Sequence, residues 1–276
     1  MKDSTFKKNK PNWSYKEIAD EVEIFCDLYD KRPIKDNIGG IKFNHAFAIY
    51  FILKKINPDM VIESGVFRGQ STWLIEKTLP EVRLLCLDID LTKRVYISEK
   101  AYYSNLDFRF HDFSNIPENT LVLFDDHVNH IERIKDANYF KIKNIILEDN
   151  YPSNSGDFQT IKQCYEKYNF KHQLSTLSLL KTFFLFIKIL LKKILINKYN
   201  SSYGLYLLHN RIRDHHSHND EFNNLNKIIE SYYEFPPIGH QKLDSNQSIF
   251  VEKSEKLKKY QSELKFYNFL TYIKLK

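Results

Sequence analysis

Two apolar runs near the middle of the chain end in acids. LVLF (121–124) runs into Asp125-Asp126-His127, and NIIL (144–147) runs into Glu148-Asp149. The segment Ile131–Phe140 between them has helical spacing. Two carboxylate pairs a strand–helix–strand unit apart point to one shared site. His127, beside the first pair, can serve as a base at neutral pH.

A second constellation lies upstream in VIESGVFRGQST (61–72). Gly65 permits a tight turn after a short strand. Gly69 is expected to let a ligand approach the start of the following helix. Ser71 and Thr72 fall in its first turn, where free N–H groups favour an oxygen-rich ligand. The stretch is not GxGxxG, and no lysine follows as it would in a phosphate-binding P-loop. The next strand, LLCLDID, ends in Asp88, with Asp90 in reserve. A carboxylate at that place, beside a glycine turn, can accept the hydroxyls of a ribose. FRFHDFS then offers Asp112.

These residues need a scaffold, and the chain has the length and composition for one. Its 276 residues and 42% hydrophobic content suit a packed α/β domain with additions. A formal charge of +6, with lysines spread along the chain, argues against a nucleic-acid partner. Three widely separated cysteines, Cys26, Cys86 and Cys164, form no disulfide framework or metal motif and fit a reducing compartment. The first residues contain no apolar h-region, so no secretory signal and a cytoplasmic location are expected.

Apolar spacing predicts helices over Tyr15–Tyr29 and His45–Ile56, then strands at 59–65, 82–90, 106–112, 120–126 and 143–149. Helices are expected at 69–79, 131–140 and 157–168. Strands alternating with helices imply a parallel sheet with right-handed crossovers. FLTYIKL near the C-terminus is expected to be a last strand. The expected division is a helical extension over 1–42, a Rossmann-like core over 43–170, a helical insertion or lid over 171–240, and a C-terminal part over 241–276 completing the sheet.

The pattern E-x-G-x-x-x-G-x-S at 63–71 resembles motif I of the class I S-adenosylmethionine (SAM) methyltransferases. The resemblance implies a mostly parallel seven-stranded sheet with helices on both faces. It also implies SAM as cofactor, with Glu63, Gly65, Gly69 and Ser71 around its amino acid part, Asp88 on the ribose and Asp112 near the adenine. In that fold the first, fourth and fifth strands are neighbours, so Asp125 or Asp126 would face Glu148 and Asp149. Carboxylates that close repel one another unless protons or a cation intervene. Hard oxygen donors suit Mg²⁺, with Ca²⁺ or Mn²⁺ as alternates, whereas zinc prefers His or Cys.

The acid-rich, His-containing strand end followed by Ile-Ile-x-Glu-Asp is similar to the cephalosporin-hydroxylase-like and metal-dependent macrolide-sugar O-methyltransferase branch. That similarity covers about residues 45–165. It implies Asp125, Glu148 and Asp149 as metal ligands and leaves His127, Asp126 and His130 as candidates for catalysis. The implied reaction is O-methylation of a small polyol or sugar. The contiguous Asp-Asp-His departs from the spacing of some members and leaves Asp125 and Asp126 unseparated. A hydroxylase is disfavoured by the lack of a convincing iron triad. The alternative outside enzymology is a SAM- or nucleotide-binding partner subunit at a membrane surface.

That alternative arises from LSLLKTFFLFIKILLKKILI (177–196). Lys181, Lys188, Lys192 and Lys193 interrupt it, which argues against a transmembrane span. The expectation is a helix packed at the site mouth as a lid. A peripheral membrane contact through 178–197, with its lysines toward anionic lipid, is the second reading, and a homo-oligomer is a third home for such a face. His209, His215, His216 and His218 have no convincing ligand spacing and read as a polar loop.

Overall fold

The computed structural model describes residues 9–152, 155–166, 219–238, 255–264 and 270–276. The apolar segment 177–196 and its lid and membrane readings lie outside the described residues, as do the histidines at 209–218.

Helix α1 (Tyr15–Tyr29) starts at a capping box. The Ser14 hydroxyl accepts the Glu17 backbone N–H, and the Glu17 carboxylate accepts the Ser14 N–H in return. Its Ile18, Val22, Phe25 and Tyr29 are buried at helical spacing. Helix α2 (Phe43–Ile56) is buried from Phe43 to Leu53, so it reads as a core helix without a polar face. The alternating part follows with β1 (Met60–Ser64), α3 (Gln70–Thr78), β2 (Arg83–Leu87), β3 (Ala101–Ser104), β4 (Thr120–Phe124), α4 (His130–Tyr139), β5 (Asn144–Leu147) and α5 (Ile161–Tyr165). The described chain ends with α6 (Asn219–Ile228), β6 (Ile229–Glu234), α7 (Glu255–Lys258) and β7 (Thr271–Leu275).

The sheet has seven strands in the order β3-β2-β1-β4-β5-β7-β6. The first five run parallel, and β7 lies antiparallel between β5 and β6. This order, with its reversed seventh strand, is the class I methyltransferase fold implied by the sequence. Side-chain alternation divides the core between the two faces. Val61, Cys86 and Leu123 pack with α1, α2, α3 and α7 on one face. Ile62, Leu87 and Phe124 pack with α4, α5 and α6 on the other. The N-terminal helix is therefore part of the main core.

Two strand expectations need correction. The third strand is Ala101–Ser104, not 106–112. The Asp107 carboxylate accepts the Arg109 N–H and caps a 3₁₀ turn at Phe108–Phe110. Its buried Phe108 belongs to the core beneath the sheet, so the alternation of FRFH marks a turn and not a strand. The edge strand β6 falls inside the 171–240 stretch read as helical. IESYYE follows α6 without a linker, which hides the change of period.

Gly65 ties two strand ends together. Its φ is +102°, and a Cβ there would lie 2.0 Å from the Asp125 carbonyl oxygen. Only glycine lets the turn after β1 pass that close to the end of β4. Gly39 also has positive φ (+77°), but a Cβ there would meet nothing nearer than Phe67 at 3.9 Å. Gly65→Ala is thus expected to cost more than about 2 kcal/mol, combining strain and clash, and Gly39→Ala about 1 kcal/mol from strain alone. Urea unfolding of both variants checks this. Equal losses would mean that the Gly65–Asp125 approach is not a constraint.

Candidate active site

A cleft of about 190 Å³ opens at the C-terminal ends of β1, β2 and β4, lined by Gly65, Ser71, Asp88, Asp125, Asp126 and His127 among others. This is the crevice beside the strand-order reversal, where ligands of open α/β sheets bind. A shallow depression lined by Asp125, His127, Glu148, Asp149 and Phe158 adjoins it. The cofactor-type cleft and the acid cluster therefore share Asp125, Asp126 and His127.

The turn after β1 is held by Asp88. Its Oδ2 accepts the N–H groups of Val66 (2.9 Å) and Phe67 (2.8 Å), and its Oδ1 accepts that of Asp90 (2.8 Å). A carboxylate offers about four acceptor positions, so Asp88 keeps room for a ligand hydroxyl while bracing the loop. Asp90 lines the cleft as well, but its carboxylate caps the short helix at Leu91–Lys93.

Three expected cofactor residues sit differently. Glu63 is 0% exposed and does not line the cleft. Strand alternation turns it beneath the turn, where it accepts the Thr72 hydroxyl (2.6 Å) and the Cys86 thiol. Burial pushes its pKa up to about 7, against the hydrogen bonds of Ser71, Thr72 and Cys86. Gly69 has positive φ (+86°) and makes room for the Tyr96 carbonyl, 2.3 Å from where its Cβ would be. The neighbour it accommodates is thus protein backbone. Asp112 is exposed and accepts the Ser114 N–H. The acid after β3 that lines the cleft is Asp107.

The structure separates Asp125 from Asp126. Asp126 accepts the Ser64 hydroxyl and lies 2.7 Å from Arg133, which also grips Asp107 (2.7 Å) and Asp136 (3.3 Å). Arg133 is buried, with its guanidinium beside the Phe108 and Phe124 rings. Burial would raise the Asp107 pKa, but Arg133 and Arg109 hold it well below the usual carboxylate range. Asp126 is thus committed to a buried ion-pair network. Asp126, a candidate for catalysis in the sequence, also lines the cleft and the adjoining depression.

Asp125 joins the other cluster. Ligand atoms of Asp125, His127 and Asp149 lie within 4.8 Å of one another. Glu148 lies within hydrogen-bonding reach of Asp125 and Asp149, and His45 of α2 pairs with it through Nδ1. Burial and then the neighbouring acids push the carboxyls of Asp125 and Glu148 well above their usual range. The His127 imidazole is 3.4 Å from Asp157. The Asp157 carboxylate, against the cost of burial, and the charge of Asp125 raise its pKa to about 10. Protonation of His127 would supply positive charge to the cluster. His130 lacks that opportunity. It is buried, its pKa is lowered to about 4 by burial, and its two ring nitrogens meet the Glu148 carbonyl and the Ile161 N–H.

Phe67, His127 and Asp149 all adopt positive φ without being glycine (+48°, +56° and +57°). Unfavourable backbone of this kind concentrates at functional sites. The sequence reading missed His45 and Asp157, whose partners are distant in sequence. The adjacent polar pair Asn44-His45 inside an apolar helix was the one local signal for His45.

No family model matches the chain, and no curated protein matches it. Among solved structures, CmcI-N160 with SAH is similar at 17% identity and TM-score 0.35, over 53% of this chain and 82% of that one. An O-methyltransferase from Bacillus cereus in complex with SAH is similar at 10% identity and TM-score 0.45, over 99% and 94% of the two chains. A Podospora anserina methyltransferase, PaMTH1, bound to SAH has 9% identity and TM-score 0.41, over 99% and 92%.

Glu63 yields a stability test. An acid whose folded pKa is raised from about 4.5 to about 7 destabilises the fold progressively as pH climbs through that window. Glu63→Gln removes that ionisation. The variant should gain on the wild type between pH 5 and pH 8, by up to about 3 kcal/mol at the alkaline end. Thermal melts across that range would show parallel curves if Glu63 ionises freely.

Proposed function

We propose that the protein is a SAM-dependent O-methyltransferase that uses a divalent cation and acts on a hydroxyl of a small polyhydroxylated acceptor, a sugar or glycan-pathway intermediate. The observation that carries this reading is the junction of a ligand cleft and a carboxylate cluster on one rim of a class I sheet. Asp88 and the turn at Gly65 would hold the nucleoside part of SAM, which supplies an electrophilic methyl group. The donor set fits a hard cation. Asp125, Glu148 and Asp149 are oxygen donors drawn together, with two of their carboxyls strained toward the protonated form. A cation such as Mg²⁺ held there supplies Lewis acidity toward an acceptor hydroxyl.

The chain's own residues divide the remaining work. Asp157 orients His127, as a base is usually oriented by a third group. A base must begin neutral, and a dication among the same carboxylates would offset the part of the raised His127 pKa that Asp125 and Asp149 cause. His127 would then take the proton of the attacking hydroxyl. His45 steadies Glu148 from α2, and Arg133 fixes Asp126 so that neighbouring Asp125 faces the cluster. A cation held beside the cleft would favour an acceptor that offers two adjacent oxygens, which is the support for a polyol or sugar.

Methyl transfer from labelled SAM to a panel of sugars and polyols tests the reading. Activity should vanish in excess EDTA and return with Mg²⁺. Asp125→Asn and Asp149→Asn should each lower kcat about a hundredfold or more while calorimetry shows SAM still bound. Full activity in excess EDTA would remove the cation from the reaction, and a wild type that binds no SAM would remove the whole reading.

A further inference from the structure

The turn after β5 holds an unfavourable backbone, and something must keep it there. Asp149 is left-handed (φ +57°) without being glycine. The Tyr151 N–H donates to the Asp149 carbonyl (2.7 Å), so Asn150 is the middle residue of a tight three-residue turn. The turn leaves the Asp149 carboxylate with an oxygen within 4.8 Å of ligand atoms of Asp125 and His127. Backbone of this kind persists only where the surrounding structure over-determines it.

Asn150 supplies that surrounding structure. It is 1% exposed, and its amide meets three separate elements. Nδ2 donates to the Thr271 hydroxyl of β7 (2.6 Å) and to the Tyr232 hydroxyl of β6 (3.0 Å). Oδ1 accepts the Lys162 N–H in the first turn of α5 (2.9 Å). A side-chain amide has two N–H donors and one acceptor oxygen, so both donors and the oxygen are engaged. The ring closes through Glu234, which accepts the Tyr232 hydroxyl (2.7 Å) and pairs with the Lys162 ammonium (2.6 Å). Thr160, the N-cap of α5, donates its hydroxyl to the Tyr151 carbonyl (2.6 Å) and secures the far end of the turn. None of the three partners of the Asn150 amide belongs to the acid cluster.

We propose that Asn150 is a positioning residue for the acid cluster. Its buried amide pins the turn to β6, β7 and α5, and the pinned turn fixes Asp149 in the left-handed conformation that faces Asp125 and His127. Asn150 acts through Asp149 and touches no reacting atom. The role rests on the cation reading above, in which Asp149 is a ligand. Carboxylates that repel one another would relax apart if their backbone were free, whereas Mg²⁺ demands oxygens held in near-ideal octahedral geometry. Groups that orient a ligand from behind therefore set metal affinity without meeting the metal. The antiparallel end of the sheet, β7 and β6, thereby serves a site built on the parallel strands.

Titration of the full chain with Mn²⁺ in the presence of SAH, read by the electron paramagnetic resonance of free Mn²⁺, tests the role, with calorimetry of SAH binding as the second readout. Asn150→Leu keeps a similar volume and removes all three hydrogen bonds. It should weaken Mn²⁺ about tenfold or more and leave SAH affinity unchanged. Thr271→Val keeps the shape of one partner and removes a single bond. It should weaken Mn²⁺ in the same sense, by about fivefold, even where the leucine variant does not fold. Ile145→Val trims the buried core of β5 and removes no hydrogen bond, so it should lower the melting temperature and leave Mn²⁺ affinity intact. Wild-type Mn²⁺ affinity in both Asn150→Leu and Thr271→Val, an equal Mn²⁺ loss in Ile145→Val, or variants that weaken SAH to the same degree, overturns the positioning role and leaves the cation reading standing. A wild type that binds SAH and no Mn²⁺ overturns both.

Discussion

Parallel pairing places Asp125 and Glu148 side by side, and much of the site follows from that constraint. Phe124 of β4 pairs with Leu147 of β5, so the next residues, Asp125 and Glu148, leave the sheet together. Adjacent strands are about 4.8 Å apart, and Asp149 follows within one residue. Three carboxylates at that spacing cannot all be ionised without positive charge nearby. Among the described residues neither lysine nor arginine pairs with them. Their partners are the imidazoles of His127 and His45. By the same logic β1 pairs with β4 at Ser64 and Phe124, which sets Gly65 against Asp125 and joins the glycine turn to the acid cluster.

The fold distributes its acids between two solutions. Asp107, Asp126 and Asp136 surround the buried guanidinium of Arg133. Removing one partner of such a network strands the others, at about 3–5 kcal/mol, so these acids belong to the architecture. Among the described residues no arginine or lysine pairs with Asp125, Glu148 or Asp149, and two of them are driven toward the protonated form. The contrast between neighbours Asp125 and Asp126 makes the point at closest range. One faces an arginine and the other faces carboxylates.

The sheet was largely legible because its strands are short apolar runs bounded by Gly, Pro and acids, and because the helices between them keep a 3.6-residue period. The acid cluster was legible for the same reason, as strand ends can be read from where apolar runs stop. Long-range pairing was not. His45–Glu148 joins residues more than a hundred positions apart, and nothing local in the sequence announces Asp157 as the partner of His127. Glu63 and Gly69 illustrate a different limit. Their types matched a ligand-binding motif, yet strand alternation buries Glu63 and the Tyr96 carbonyl fills the space beside Gly69. Asp112 was displaced because β3 ends earlier than the alternation of FRFH implies. In each case the residue type was right for the chemistry while the direction of the side chain depended on packing.

A cation at the acid cluster is what the proposed chemistry depends on. Anomalous diffraction from crystals grown with Mn²⁺ and SAH addresses it directly. One manganese peak is expected among Asp125, Glu148 and Asp149, lost in Asp149→Asn crystals that still carry SAH in the cleft. A cleft filled by SAH with no anomalous peak at those carboxylates would contradict it and leave the cluster as protonated acids around His127.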